Sequence, residues 1–302
     1  RIIKIDDEEY PANLRTIYDP PPIIYIKGKI TPDDSQSISV VGARKASAYG
    51  RCIAENISKE LALRRFTIVS GMAHGIDTFA HQGALSAGGR TIAVMGNGLD
   101  IIYPPDNEKL YERIINSGAV ISEFPLGTEP KKENFPIRNR IISGLSLGTL
   151  IVEASNHSGS LITASYALEQ GREIFAIPGP IFSEMSRGAN NLIKQGAKLV
   201  ESVDDIISEL PSYVTNSCIN EHEYLKDDDK NMEKQLSEEE YKIWKVVDFT
   251  PIHIDDIIRQ TNLPINVVSA MLVILELKGL IQQQTGKMFI RKMSSETNIL
   301  GG

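Results

Sequence analysis

The chain has 302 residues, 41% of them hydrophobic, and a net charge of −7. That length suggests about two domains with a sizeable core, and the acidic balance excludes a protein that coats a polyanion through bulk positive charge. Any such binding has to be focused in a local basic groove, because physiological salt confines charge interactions to roughly 8 Å.

No run of about 18 uncharged apolar residues occurs, so no membrane span is expected. The opening RIIKIDDEEY places four acids where a signal peptide needs an apolar stretch, so secretion is not expected either. Cys52 and Cys218 are far apart and no four-ligand Cys/His set accompanies them, Cys218 having only His222 four positions on, which argues against a zinc site and against a disulfide framework.

In chain order, a short lead-in over residues 1–36 precedes a series of apolar runs. These are ISVV (38–41), TIVS (67–70), TIAVM (91–95), AVIS (119–122), TLIVEA (149–154), EIFAIP (173–178) and KLVES (198–202). Near-continuous apolar runs are what strands covered on both faces require. Helix-patterned stretches fall between them at 51–64, 107–117, 160–170 and 203–210. The alternation predicts an α/β fold, a doubly wound Rossmann-like parallel sheet over residues 1–210.

Residues 211–236 are poor in apolar side chains and include the acidic run Asp227, Asp228, Asp229, the composition of a linker. Ser237 with Glu240 three positions on forms a capping box. Three short helices and a hairpin joined by Gln284, Thr285 and Gly286 follow, which predicts a small winged helix-turn-helix domain over 237–292. Its third helix carries an apolar stripe, Val267, Met271, Ile274 and Leu275, assigned to the core. The positions left exposed, Asn266, Ser269, Ala270 and Glu276, include no cation. A DNA-reading helix normally has some, so the domain reads as a protein-docking module as well as a DNA-binding one, with docking the favoured of the two.

In an open parallel sheet, ligands bind outside the C-terminal strand ends. Those ends carry Gly42-Ala43-Arg44, Ser70-Gly71, Gly96-Asn97-Gly98, Ser158-Gly159-Ser160 and Pro178-Gly179, small-residue turns suited to a row of phosphates. The first turn is not G-x-G-x-x-G, because Arg44 stands at the second glycine position. No P-loop signature occurs, so no nucleotide cofactor is expected. His74 and Asp77 could form a base and its orienter if helical, though such pairs more often close a turn. Glu153 could likewise be a base, or could satisfy neighbouring backbone donors.

The segment 131–140, KKENFPIRNR, packs four cations, an aromatic and two amides into ten residues. Pro130 and Pro136 flank Phe135, which reads as a loop rather than a helix. Cations following a backbone beside an exposed stacking ring are the recipe for single-stranded nucleic acid. The alternative is a solvated loop whose Phe135 plugs the core.

Together, these segments resemble the DNA-processing protein A family (DprA, also called Smf). The matching stretches are VVGAR (40–44), IVSGMAHGID (68–77), MGNGLDIIYP (95–104), SEFPLGTEPKKENFPIRNRIISGLS (122–146), VEASNHSGSLITASYALEQGREIFAIPG (152–179) and GANNLIKQGAK (188–198). The resemblance implies a bacterial cytoplasmic protein that binds single-stranded DNA, protects it, and loads the RecA recombinase during natural transformation. It also implies a homodimer formed through the Rossmann-like domain, no enzymatic activity, and DNA held by Arg44, Lys132, Phe135 and Arg140. With the glycine turns and the remainder of the basic segment, the expected DNA-binding set is Gly42, Arg44, Ser70, Gly71, Lys132, Phe135, Arg138, Asn139, Arg140, Ser158, Gly159 and Ser160. Many family members begin with a sterile-alpha-motif-like helical domain, which this sequence lacks. The alternative is a nucleotide-binding enzyme of the related phosphoribohydrolase type. That reading needs a P-G-G-x-G-T loop, whereas Pro180 and Ile181 follow Pro178-Gly179 here.

Overall fold

The computed structural model describes residues 1–211, 236–247 and 252–291. The chain divides into two compact units, Arg1–Ile219 and Asn220–Gly302. Most of the segment expected to be a linker lies outside the described residues, as do Cys218 and Lys292.

The first unit is built on a nine-stranded sheet ordered β1-β2-β6-β5-β4-β3-β7-β8-β9. All seven apolar runs are strands: β3 (Ser37–Val41), β4 (Thr67–Ser70), β5 (Thr91–Val94), β6 (Ala119–Ser122), β7 (Gly148–Ile151), β8 (Glu173–Ala176) and β9 (Lys198–Leu199). They are parallel throughout. The lead-in adds β1 (Ile2–Lys4) and β2 (Ile23–Gly28), β2 pairing antiparallel with β6 and β1 with β2. Because β3 lies between β4 and β7, the order reverses there, and a crevice opens at the C-terminal ends of the strands.

Alternation along β3 shows how both faces are covered. Ile38 and Val40 join α2 (Ala48–Leu63), α3 (Ile76–Ser86) and α8 (Val203–Ile207) on one face. Val41 joins α1 (Ala12–Arg15), α5 (Asn134–Leu145) and α6 (Ser160–Glu169) on the other. A further cluster packs α4 (Glu108–Ser117) over β5 and β6, and α7 (Arg187–Lys194) follows β8.

Of the basic segment expected as a loop, Lys131, Lys132 and Glu133 do form a turn, but from Asn134 onward it is instead the first turns of α5. Pro136 falls in the opening turn, where a backbone N–H has no intrahelical partner to lose, so the proline does not oppose the helix.

In the second unit the capping box of Ser237 and Glu240 starts α9 (Glu238–Val246). Then come β10 (Ile252–His253), α10 (Ile254–Thr261), α11 (Ile265–Leu277), β11 (Ile281–Gln284) and β12 (Met288–Arg291), with β10 completing a three-stranded wing. The buried stripe of α11 is Val268, Leu272 and Leu275, one position on from the expected Val267 and Met271, which are half-buried. Asn266, Ser269, Ala270 and Glu276 are exposed, as expected.

Candidate functional site

The turns after β3, β4 and β7 and the start of α5 enclose a groove of about 430 Å³ at the crevice. It brings together Gly42, Arg44, Lys132, Phe135, Arg138, Asn139, Ser158, Gly159 and Ser160. The Arg44 guanidinium lies 5.2 Å from the centroid of the Phe135 ring, and Tyr103 packs against the same ring at 5.7 Å. Gly96 makes this possible, since a Cβ there would come within 2.8 Å of the ring. Phe135 is half-buried, so it is neither a loose surface ring nor a core plug. Lys45 and Lys132 are exposed and form no ion pair among the described residues. Lys45 and Tyr103 were absent from the expected set. Lys45 directly follows Arg44, and that adjacency was the available signal.

The two arginines of α5 have different surroundings from Arg44. Arg138 is buried and its Nη1 donates to the carbonyls of Gly71 (2.8 Å) and Val94, tying the ends of β4 and β5 together. Burial lowers its pKa to about 10, with nearby Asp77 opposing the shift, so it remains a cation at neutral pH beneath the groove. Arg140 does not line the groove. Its Nη1 and Nη2 donate to the two carboxylate oxygens of Glu123 at 2.9 and 2.7 Å, and its Nε donates to Asp19 at 3.2 Å. Phosphate contact was expected from Arg140, but those donors are already used in joining α5 to the lead-in and the turn after β6. Asn139 donates from Nδ2 to the Gly159 carbonyl at 3.3 Å, holding the groove wall.

Ser70 lies below the site, fully buried, with Oγ donating to the Val40 carbonyl. Gly71 donates its N–H to Asp77 Oδ2 at 3.1 Å, and Ala73 does the same at 3.3 Å. Asp77 therefore closes this turn and is not paired with His74, whose ring is 3.8 Å from Asp106. Burial raises the Asp77 pKa to about 6, while Arg138 and the two amides pull it down.

Glu153 caps α2. Its Oε2 accepts from the Ser47 N–H at 2.9 Å and its Oε1 from the Ser47 hydroxyl at 2.5 Å. The helix N-terminus that holds a pyrophosphate in dinucleotide-binding turns is thus filled by the protein's own carboxylate. By contrast, no side chain caps α6, and Ser158, Gly159 and Ser160 present its positive dipole end on the groove wall.

Residues 1–211 match the family model described as DNA recombination-mediator protein A, and residues 229–287 match the DprA winged helix domain. The DNA processing protein DprA of Bacillus subtilis is 45% identical over 210 residues, 69% of this chain and 71% of that one. The X-ray structure of DprA from Streptococcus pneumoniae superposes with a TM-score of 0.67 at 44% identity, covering 70% of this chain and 74% of that one. DprA of Helicobacter pylori, studied for its single-stranded DNA binding mode, superposes with a TM-score of 0.61 at 29% identity, covering 68% and 97%.

Proposed function

The chain belongs to the DNA recombination-mediator protein A family, and we propose that it binds single-stranded DNA in the groove at the strand ends. What carries this reading is the Arg44 guanidinium 5.2 Å from the Phe135 ring, in a groove that also takes in Lys132. Arg44, Lys45, Lys132 and the uncapped end of α6 meet phosphates, and Phe135 offers its face to a base. A π-face is common to every base, so such a site is tolerant of sequence. The Helicobacter pylori relative's single-stranded DNA binding supports the choice of ligand.

The family resemblance extends the proposal. The protein would act in the cytoplasm as a homodimer that protects incoming single strands and loads the RecA recombinase, with no catalytic step of its own. The phosphoribohydrolase alternative is disfavoured by the Glu153 carboxylate held at the start of α2 and by the missing glycine-rich phosphate loop.

A gel-shift comparison of single-stranded and blunt duplex DNA of one length, across salt concentrations, tests the reading. Single strands are expected to bind more tightly, with affinity falling steeply as salt rises. Equal or tighter duplex binding would overturn the proposal. Saturable thermal stabilisation by ATP or NAD, which a ligand of the native state must produce, would favour the enzyme alternative.

A further inference from the structure

The loop after β8 carries the most exposed large apolar pair near the groove. Ile181 and Phe182 are 75% and 92% exposed. Nothing about folding asks for a phenylalanine to stand in water there, yet the loop around it is firmly held. Gly179 and Asn190 exchange two hydrogen bonds, Gly179 N–H to Oδ1 at 3.1 Å and Nδ2 to the Gly179 carbonyl at 2.9 Å. Ser183 N–H donates to the Pro180 carbonyl at 3.0 Å.

The loop is also joined to the groove. Ala154 donates its N–H to the Met185 carbonyl at 2.8 Å, and Gly188 donates to the Ala154 carbonyl at 2.7 Å. Met185, three residues beyond Phe182, lines the groove itself. Arg187 opens α7 on the same stretch and is exposed, with no ion pair among the described residues; Glu184 is the exposed acid beside it.

We infer that Phe182 is a second stacking platform for single-stranded DNA and Arg187 its phosphate partner, at the outer end of the strand path. The inference rests on the groove reading above and lengthens that site. Phe135 sits against Gly96 beyond β5, while Phe182 follows β8. In the order β5-β4-β3-β7-β8 these are four strand spacings apart, roughly 19 Å. At about 3.4 Å per stacked nucleotide, some six nucleotides separate the two rings. A very short oligonucleotide therefore occupies the Phe135 groove alone, and a longer one reaches both.

The experiment is fluorescence anisotropy with labelled dT5 and dT20 on the full chain, comparing wild type, F182A and F182W, with sedimentation of each protein without DNA. F182A is expected to weaken dT20 binding five-fold or more, the loss of one base–aromatic stack, and to leave dT5 unchanged. F182W is expected to restore dT20 binding, and sedimentation to be the same for all three. Unchanged dT20 affinity in F182A, with wild type binding both oligonucleotides, would overturn the second platform and leave the groove standing. Equal losses at both lengths with an altered sedimentation coefficient would overturn it in favour of a contact between copies of the chain. Wild type binding neither oligonucleotide would overturn the groove reading and this one with it.

Discussion

Asp77 and Arg138 face each other across Gly71, so closely that a Cβ on that glycine would lie 2.8 Å from both Asp77 Oδ2 and Arg138 Nη2. Both groups are buried beneath the groove. Their relationship separates Arg138 from Arg44, two arginines with the same sequence-level promise. Removing Arg138 strands two carbonyls and leaves a buried carboxylate without its cation. Each buried polar group left unsatisfied costs about 1–3 kcal/mol. R138M is therefore expected to lower unfolding stability by that order, measured by urea denaturation. R44A is expected to leave stability within about 1 kcal/mol while weakening single-strand binding. Comparable stability losses in the two variants would refute the distinction.

Phe135, Lys132 and Arg140 should give three different signatures. F135A is expected to cost about 1–3 kcal/mol of single-strand affinity with the salt slope nearly unchanged, since the ring acts by stacking. K132A is expected to reduce the salt slope by about 1, the mark of one lost phosphate contact. R140A is expected to lower the melting temperature and leave the salt slope alone, because its donors serve Glu123 and Asp19. A salt slope reduced in R140A by as much as in K132A would show that Arg140 leaves its ion pair for DNA.

The divergence of Arg138 and Arg140 explains what the sequence could and could not convey. Residues two apart on a helix point about 200° apart, so one of the pair turns to the strand ends and the other to the lead-in. Once Pro130 and Pro136 suggested a loop, that geometry was out of reach. The seven parallel strands were readable because burial on both faces demands uninterrupted apolar runs. β2 was not, because its pattern alternates between a covered and an open face and it follows Pro20, Pro21 and Pro22. The glycine turns marked the right edge of the sheet, yet which turns stay open depended on side chains distant in sequence. Glu153 fills one from 106 positions away.

His81 gives the protein an acid-sensitive element. Its ring is fully buried, with Nδ1 2.7 Å from Thr91 Oγ1. Thr91 donates its own hydroxyl hydrogen to the Ile68 carbonyl, so Nδ1 must be the donor to Thr91. Nε2 then stays unprotonated and without a hydrogen-bond partner. Burial, helped by Arg138, lowers the pKa to about 3 from the ordinary 6.5. A depressed histidine pKa contributes stability above pH 6.5 that is lost as pH falls towards 3, because only the unfolded chain takes up the proton. Asp77 acts in the opposite sense. Its folded pKa of about 6 exceeds the ordinary 3.8, so its contribution is present below 3.8 and lost as pH rises through 6. The two partly offset between pH 4 and 6. The stability gap between wild type and H81Q is therefore expected to narrow on acidification below pH 6.5, by about 1.4 kcal/mol per pH unit. A gap that stays constant from pH 7 to 4 would contradict a neutral buried His81.

The winged-helix unit is expected to contribute little to single-strand affinity. From residue 211 onward the sequence holds 10 Lys or Arg against 14 Asp or Glu, a balance that repels a polyanion unless the cations cluster. Lys278, Lys287, Arg291 and Lys292, around the hairpin, were the candidates for such a cluster. Arg291 instead lies 4.0 Å over the Trp244 ring and donates to the carbonyls of Val247 and Trp244. Lys278 Nζ donates to both carboxylate oxygens of Glu240 at 2.7 and 2.9 Å. Lys292 lies outside the described residues, which leaves Lys287 at the turn. Meanwhile α11 exposes Ile265, Val273 and Leu277 at 64%, 57% and 84%, a surface suited to a protein rather than to phosphates. Among the described residues, the first unit's core clusters all precede a truncation after Leu210 and the cluster around Trp244 lies wholly beyond it. Single-strand affinity of the truncated protein is expected to stay within a few-fold of the intact chain, measured by anisotropy at equal salt. A loss of tenfold or more, about 1.4 kcal/mol, with the sheet unit still folded by circular dichroism, would show that the second unit grips DNA itself.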